Sequence, residues 1–249
     1  MKPLLLTTIA AVVLVGCGES PTMMATDKEA DANAIIKLPI RFHILHGVTV
    51  EKKGVNMNMW IKDSHIHDTI MPELNRIWKP AKIEWYVESI AEEIISEVSD
   101  EQNKAINLIS NSKRDQNGKS DPRRIPLIYD FFDEKKNKSD SYNIYLFPYI
   151  GETSQGNAKG RNRAIVGVWT DKPSRGTRLP IRFQLSEKLP FKIGSIARTC
   201  AHELGHNLGL RHPDKSKQKI TGRLMGGRRH GYLLTDPEIV TARKYAMWK

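Results

Sequence analysis

An eleven-residue stretch near the C-terminal end of the chain, His-Glu-Leu-Gly-His-Asn-Leu-Gly-Leu-Arg-His, constrains the fold more than any other feature. His202 and His206 stand four residues apart, so a helix projects both imidazoles from one face, where they can share a metal ion. Glu203 between them can reach a metal-bound water. Gly209 permits a left-handed turn that ends the helix, and the turned chain can bring the imidazole of His212 to the same ion. Because three protein ligands leave the fourth tetrahedral position open to water, the stretch predicts a hydrolytic zinc site.

The spacing resembles the signature of the metzincin clan of zinc metallopeptidases, H-E-x-x-H-x-x-G-x-x-H followed by a Met-turn, and all five fixed positions match. The resemblance implies one catalytic Zn²⁺ ion held by His202, His206 and His212, with Glu203 as the general base. It also implies that Met225 is the methionine of the Met-turn, an apolar floor beneath the imidazoles. The alternative is a helix that carries three histidines by chance, which the infrequency of Gly and His makes much rarer.

One departure from the signature concerns the wall of the site. Pro213, directly after the third histidine, resembles the serralysin subgroup, but the Tyr that those enzymes carry two residues past the methionine is Gly227 here. Tyr232 or His230 is a candidate to stabilise the transition state in its place.

The periodicity around the motif supports a helix over residues 192–210. Ile193, Ala197, Cys200, Leu204 and Leu208 fall on one apolar stripe that must pack on a core. Ser195, Thr199, His202 and His206 form the roughly opposite face. We therefore expect the helix to lie between the core and a cleft, with its histidines facing the cleft.

The N-terminus indicates export. A lysine precedes an apolar run that is too short to span a bilayer comfortably, and Leu-Val-Gly-Cys17 resembles a bacterial lipobox. This resemblance implies a signal peptide over residues 1–16, lipidation of Cys17, a flexible tether over 17–36 and a catalytic domain over 37–249. Gly18 favours the outer membrane if the source is Gram-negative; the alternative is a plain secretory peptide with an incidental cysteine.

Composition limits the partners. The only other cysteine, Cys200, reads as a buried core thiol, so a lipidated Cys17 leaves no intramolecular disulfide. The formal net charge of +11 comes from scattered basic residues without a nucleic-acid-binding signature. We expect a solvated surface that favours anionic lipid or acidic substrates, and no nucleic-acid partner.

Alternation of apolar residues predicts strands over residues 38–45 and 81–90. Runs of β-forming residues predict strands over 141–150 and 163–170, and a short further strand is expected over 181–185. Helical spacing predicts helices over 58–78, part of 92–112, 192–210 and a capped C-terminal helix from Asp236. Residues 151–160 predict a loop. His65 and His67 stand two apart and point differently on a helix, so we expect no second metal site there.

The metzincin resemblance implies an α+β, zincin-like catalytic domain. Its parts are a twisted mixed sheet with an antiparallel edge strand, an active-site helix, a Met-turn and a C-terminal helix. By the resemblance, residues 163–170 are that edge strand, where an extended peptide could pair through its backbone. The alternative is an ordinary strand inside the sheet.

The sequence therefore predicts a monomeric, lipid-anchored zinc endopeptidase of the bacterial envelope or the cell exterior, in which Glu203 assists attack by zinc-bound water on peptide bonds of proteins or peptides. The alternatives are a zinc-stabilised surface module that binds without cleaving, and a peptidase restricted to envelope peptides. The intact Glu203 argues against the binding module, because a structural site needs no general base.

Overall fold

A five-stranded mixed sheet carries the candidate site, in the spatial order β4-β1-β5-β7-β6. The computed structural model describes residues 34–52, 54–110, 124–132, 140–151, 156–169, 196–213, 222–226 and 231–247. The strands are β1 (Ile36–His46), β2 (Thr49–Lys52), β3 (Val55–Asn58), β4 (Ile83–Ile94), β5 (Tyr142–Phe147), β6 (Gly156–Lys159) and β7 (Arg163–Gly167). Within this sheet, neighbouring strands run parallel except for β6, which pairs antiparallel with β7. Strands β2 and β3 form a separate antiparallel pair. The helices and the mixed sheet of the predicted α+β class are confirmed.

The helical elements cover both faces of the sheet. They are α1 (Asp63–His65), a π-helical turn (Ile66–Ile70), α2 (Met71–Trp78), a 3₁₀ turn (Lys79–Ala81), α3 (Asp100–Ser110), α4 (Arg124–Tyr129), α5 (Ile196–Asn207) and α6 (Asp236–Met247). Residues of α2, α5 and α6 share one buried apolar cluster, and those of α3 and α4 belong to a second. Among the described residues, no helix combines the length and apolarity that crossing a membrane requires.

The central strands explain why two clusters form. In β1, Phe42 and Ile44 belong to the cluster with α5, whereas Leu45 belongs to the cluster with α3 and α4. In β5, Ile144 and Tyr145 divide in the same way. Because successive strand residues point to opposite faces, a strand covered on both sides is apolar along nearly its whole length.

Several elements differ from their predicted limits. The helix predicted over 58–78 begins at Asp63, because Asn58 ends the β2–β3 hairpin, which pairs Thr49 with Asn58. The strand predicted over 81–90 is β4, which continues to Ile94, so the helix predicted within 92–112 begins only at Asp100. The C-terminal helix agrees with the prediction. The signal peptide, nearly all of the tether and the strand predicted over 181–185 lie outside the described residues.

The edge strand was assigned wrongly. The strand predicted at 163–170 is β7 (Arg163–Gly167), and it lies inside the sheet between β5 and β6. Among the described strands, the antiparallel strand at the edge is β6 (Gly156–Lys159), within the segment 151–160 for which the sequence predicts a loop. A strand of four residues rich in Gly, Asn and Ala carries little β-propensity, so its pairing with β7 decides its conformation.

Candidate metal centre

Helix α5 is held by the apolar stripe that its sequence predicts. Ala197, Cys200, Leu204 and Leu208 are all fully buried in the cluster beneath the sheet. Ile193 and Ser195 lie outside the described residues. Burial raises the pKa of the Cys200 thiol, in agreement with its predicted role as a core residue. Packing of this stripe fixes the rotation of the helix and therefore the direction of its histidines.

The helix ends in the left-handed turn that Gly209 was expected to form. Gly209 has φ +79°, its amide donates to the His206 carbonyl at 3.0 Å, and the amide of Leu210 donates to the Gly205 carbonyl at 2.9 Å. This pair of bonds is the Schellman arrangement. A Cβ at Gly209 would also lie 2.6 Å from the Tyr245 ring of α6. Conformation and space both require glycine here.

The turn brings the three histidines of the motif together. The Nε2 atom of His212 lies 3.0 Å from Nε2 of His202 and 3.0 Å from Nε2 of His206. Each residue offers one ligand atom, and the three atoms lie within 4.8 Å of one another. Their exposure rises from the buried His202 to the exposed His212, so the cluster opens toward solvent on one side.

Backbone carbonyls fix the tautomer of the two helical histidines. Nδ1 of His202 lies 2.7 Å from the Leu224 carbonyl oxygen, and Nδ1 of His206 lies 2.9 Å from that of Leu210. A carbonyl only accepts, so each Nδ1 carries the proton and each Nε2 presents a lone pair. Burial lowers the pKa of His206, and burial together with His206 lowers that of His212, which favours neutral rings. Neutral imidazoles whose lone pairs converge are a donor set that fits Zn²⁺.

Glu203 turns from the histidine face toward the edge strand. Its side chain is almost fully buried, and this burial raises its pKa to about 8. A hydrogen bond from the Ala158 backbone amide has the opposite effect and lowers the pKa. A Cβ added to Gly156 would overlap the Glu203 carboxylate. Gly156 and Ala158 therefore shape the space around the carboxylate. Sequence reasoning missed both residues; their small size at alternate positions was the available signal.

Met225 lies beneath the helix. It is fully buried, and a Cβ added to Gly205 would come within 2.7 Å of its sulfur. Its turn closes with a 3.1 Å bond from the Gly226 amide to the Arg223 carbonyl. Nη2 of Arg223 also donates to Glu238 of α6 at 2.8 Å. The same turn supplies the Leu224 carbonyl that orients His202, so it both supports the helix and orients a histidine of the cluster.

Of the two residues that the sequence offers to stabilise the transition state, the structure describes Tyr232. Tyr232 is half-buried, and its ring centroid lies 5.6 Å from the guanidinium carbon of Arg198. Arg198 precedes His202 by one helical turn and forms a buried ion pair with Glu73 of α2, Nε to Oε1 at 3.7 Å. No pattern in the sequence predicts this pair. Gly227 and His230 lie outside the described residues.

The remaining histidines of the described residues are not brought to the cluster. His65 accepts a bond from the Lys62 amide at the start of the helical segment, and His67 pairs with Asp63 at 3.2 Å. His43 is buried between Glu93 and Asn143. Within the described ranges, His202, His206 and His212 form the one group of three or more potential metal ligands.

The comparisons with known proteins find similarity at the level of solved structures. No protein-family model and no curated protein matches the sequence. Among solved structures, the chain is similar to an archaemetzincin from Methanopyrus kandleri, with a TM-score of 0.40 and 13% sequence identity, over 86% of this chain and 96% of that one. Similarity at this level assigns no family, so the proposals below depend on the site itself.

Proposed function

We propose that the chain is a metzincin-like zinc endopeptidase that hydrolyses peptide bonds of proteins or peptides. The convergence of three imidazole Nε2 atoms, two of them with tautomers fixed by carbonyls, supports this proposal most directly. His202, His206 and His212 would hold one Zn²⁺ ion. When bound, zinc supplies Lewis-acid chemistry that makes a water more acidic and polarises the scissile carbonyl.

Glu203 is the general base of the proposal. Its raised pKa lies near neutral pH, where a carboxylate can accept a proton from the attacking water and return it to the leaving amine. Gly156 leaves room for the carboxylate, and the Ala158 amide orients it. We propose that the substrate lies extended along β6 (Gly156–Lys159), because backbone pairing accommodates many side chains.

The number of candidate ligands supports this proposal over a binding module that keeps zinc without cleaving. A structural zinc site uses four protein ligands, whereas the described residues bring together three. We further propose export, lipidation of Cys17 and retention at the bacterial envelope, with the outer membrane favoured in a Gram-negative source; these rest on the lipobox-like sequence. Mass spectrometry of Cys17 after growth with a labelled fatty acid tests that address.

Digestion of a peptide library tests the activity. The purified protein is assayed as isolated, after treatment with a chelator, and after zinc is restored, with zinc content measured on the same samples. We expect cleavage that disappears with zinc and returns with it. A sample that holds about one zinc per chain and cleaves no member of the library or denatured casein would favour the binding module instead.

A further inference from the structure

Three basic residues lie close together at the end of the edge strand. Lys159 of β6 pairs directly across the sheet with Arg163 of β7, and Arg161 is exposed in the turn between them. Like charges directly opposite on neighbouring strands repel. None of the ion pairs among the described residues includes any of the three.

Two of these cations lie near one aromatic ring, on the same face of the sheet. Nζ of Lys159 lies 5.2 Å, and the guanidinium carbon of Arg163 lies 5.7 Å, from the centre of the Tyr129 ring. The ring compensates each cation weakly, and it keeps both on the face of the sheet that α4 covers. Gly156, which is two residues from Ala158, adjoins Glu203 on the other face. Strand β6 thus presents Gly156 to the proposed base and Lys159 to the opposite face.

The free side of β6 is where a further strand would meet these charges. In the part of the chain that the structure describes, β6 pairs with β7 alone and ends the sheet. A peptide added to that side would place a side chain next to Lys159, on the side away from Arg163, at a Cβ separation of about 5 Å. An acidic side chain there would relieve the repulsion, and a basic one would increase it.

The position of Glu203 indicates how far from the scissile bond the selected substrate residue would lie. The Ala158 amide donates to Glu203, and Lys159 is the next residue. Because a strand rises about 3.3 Å per residue, the substrate residue beside Lys159 would lie within about two residues of the scissile bond, where Glu203 would act as the general base. The net charge of +11 attracts the same class of peptide at longer range.

We infer that Lys159 selects peptides that carry Asp or Glu close to the scissile bond. The inference rests on the proposed peptidase function and names its substrate class. Lys159 acts on substrate binding, with Arg163 and Arg161 adding to the positive potential.

The test places a single charge at successive positions of a peptide. A peptide cleaved by the protein is made with Glu, Gln or Lys at each of the three positions on either side of the scissile bond, and kcat/KM is measured for each. We expect Glu to exceed Gln by about two- to fivefold at one position, with Lys below Gln, as for a partly exposed ion pair. The preference should shrink at high salt.

Two variants assign the preference to its residue. Lys159→Glu should reverse the order at that position alone, and Lys159→Gln should abolish it. Lys79→Glu is the matched control: Lys79 is exposed, makes the same change in net charge, and lies before β4 at the other edge of the sheet. Wild-type protein without a Glu preference, a Lys159→Glu protein with unchanged order, or a Lys79→Glu protein that reverses it would overturn the inference.

A binding measurement separates this inference from the proposed function. Fluorescence anisotropy of the Glu and Gln peptides is recorded with the Glu203→Ala protein, with and without Lys159→Glu. If the zinc-loaded wild type cleaves nothing, the peptidase proposal fails, and an equivalent set of casein-derived labelled peptides is used. Tighter binding of Glu peptides that Lys159→Glu reverses supports the charge preference; equal binding in both backgrounds contradicts it.

Discussion

His43 and His202 are both buried histidines, with 1% and 2% of their surfaces exposed, but their ring nitrogens have different partners. In His43, Nδ1 lies 3.2 Å from Glu93 and Nε2 lies 3.1 Å from Oδ1 of Asn143. The Asn143 amide nitrogen donates to the Ser141 carbonyl, which turns Oδ1 toward the ring. Both nitrogens of His43 therefore face oxygen acceptors, whereas His202 has a carbonyl on Nδ1 and directs Nε2 to two other imidazoles.

The difference teaches what separates a structural histidine from a candidate ligand. Two neighbouring strands, β4 and β5, surround His43 with a carboxylate, an amide and the stacked ring of Tyr145 at 4.4 Å. At His202 the backbone occupies one nitrogen only, and the other faces a cluster that opens to solvent. Removing either ring should therefore disturb different properties of the protein: metal content at one place and folding at the other.

The largest effect is expected from the cluster. His206→Ala removes one of three converging nitrogens, so zinc affinity should fall by more than the roughly 10- to 100-fold that loss of a hydrogen-bonding partner behind a ligand costs. Competition with a chromogenic zinc chelator measures the affinity. The His43→Ala protein is the control, and we expect one zinc per folded chain in it. Zinc loss in both proteins, or in neither, would break the comparison.

His43 should affect stability instead. His43→Ala removes the imidazole that lies against the buried oxygens of Glu93 and Asn143, which should lower the free energy of unfolding by about 1–3 kcal/mol. Urea unfolding at a fixed free zinc concentration measures the loss. A fall below 1 kcal/mol would show that the His43 cluster contributes little to folding.

A smaller effect tests how the third imidazole is delivered. Gly209→Ala introduces a Cβ at positive φ and against the Tyr245 ring, so it should cost more than the roughly 1–2 kcal/mol of left-handed strain alone and should also weaken zinc binding. Gly54→Ala is matched, because Gly54 has φ +71° and no atom within 4 Å of the added carbon. The Gly54→Ala control should lose free energy of unfolding through the same left-handed strain and keep its zinc affinity. Equal losses of affinity would mean that the turn does not position His212.

The sequence could predict the local parts of the site. The helix, its apolar stripe and the glycine that ends it depend on spacing within about twenty residues, and helical periodicity encodes that spacing directly. The strand order could not be obtained in this way. The segment around Gly156 reads as a loop because its pairing energy comes from β7 and its shape from Glu203, and both partners are defined only after folding.

Long-range polar partners were likewise hidden. Glu73 and Arg198 are far apart in the chain and appear as ordinary helix residues, yet they meet within the core. His43, Glu93 and Asn143 come from three strands whose order the sequence does not state. Such partners follow from topology, so patterns within one segment cannot reveal them.

The central claim is that Glu203 beside a three-histidine zinc site makes this chain a peptidase. The most direct test is the turnover of one cleavable peptide per bound zinc, compared between the wild type and Glu203→Ala. We predict that the variant keeps one zinc per chain and loses at least about 100-fold in kcat, the low end of what a general base contributes. A variant with full zinc content and near-normal turnover would contradict the account.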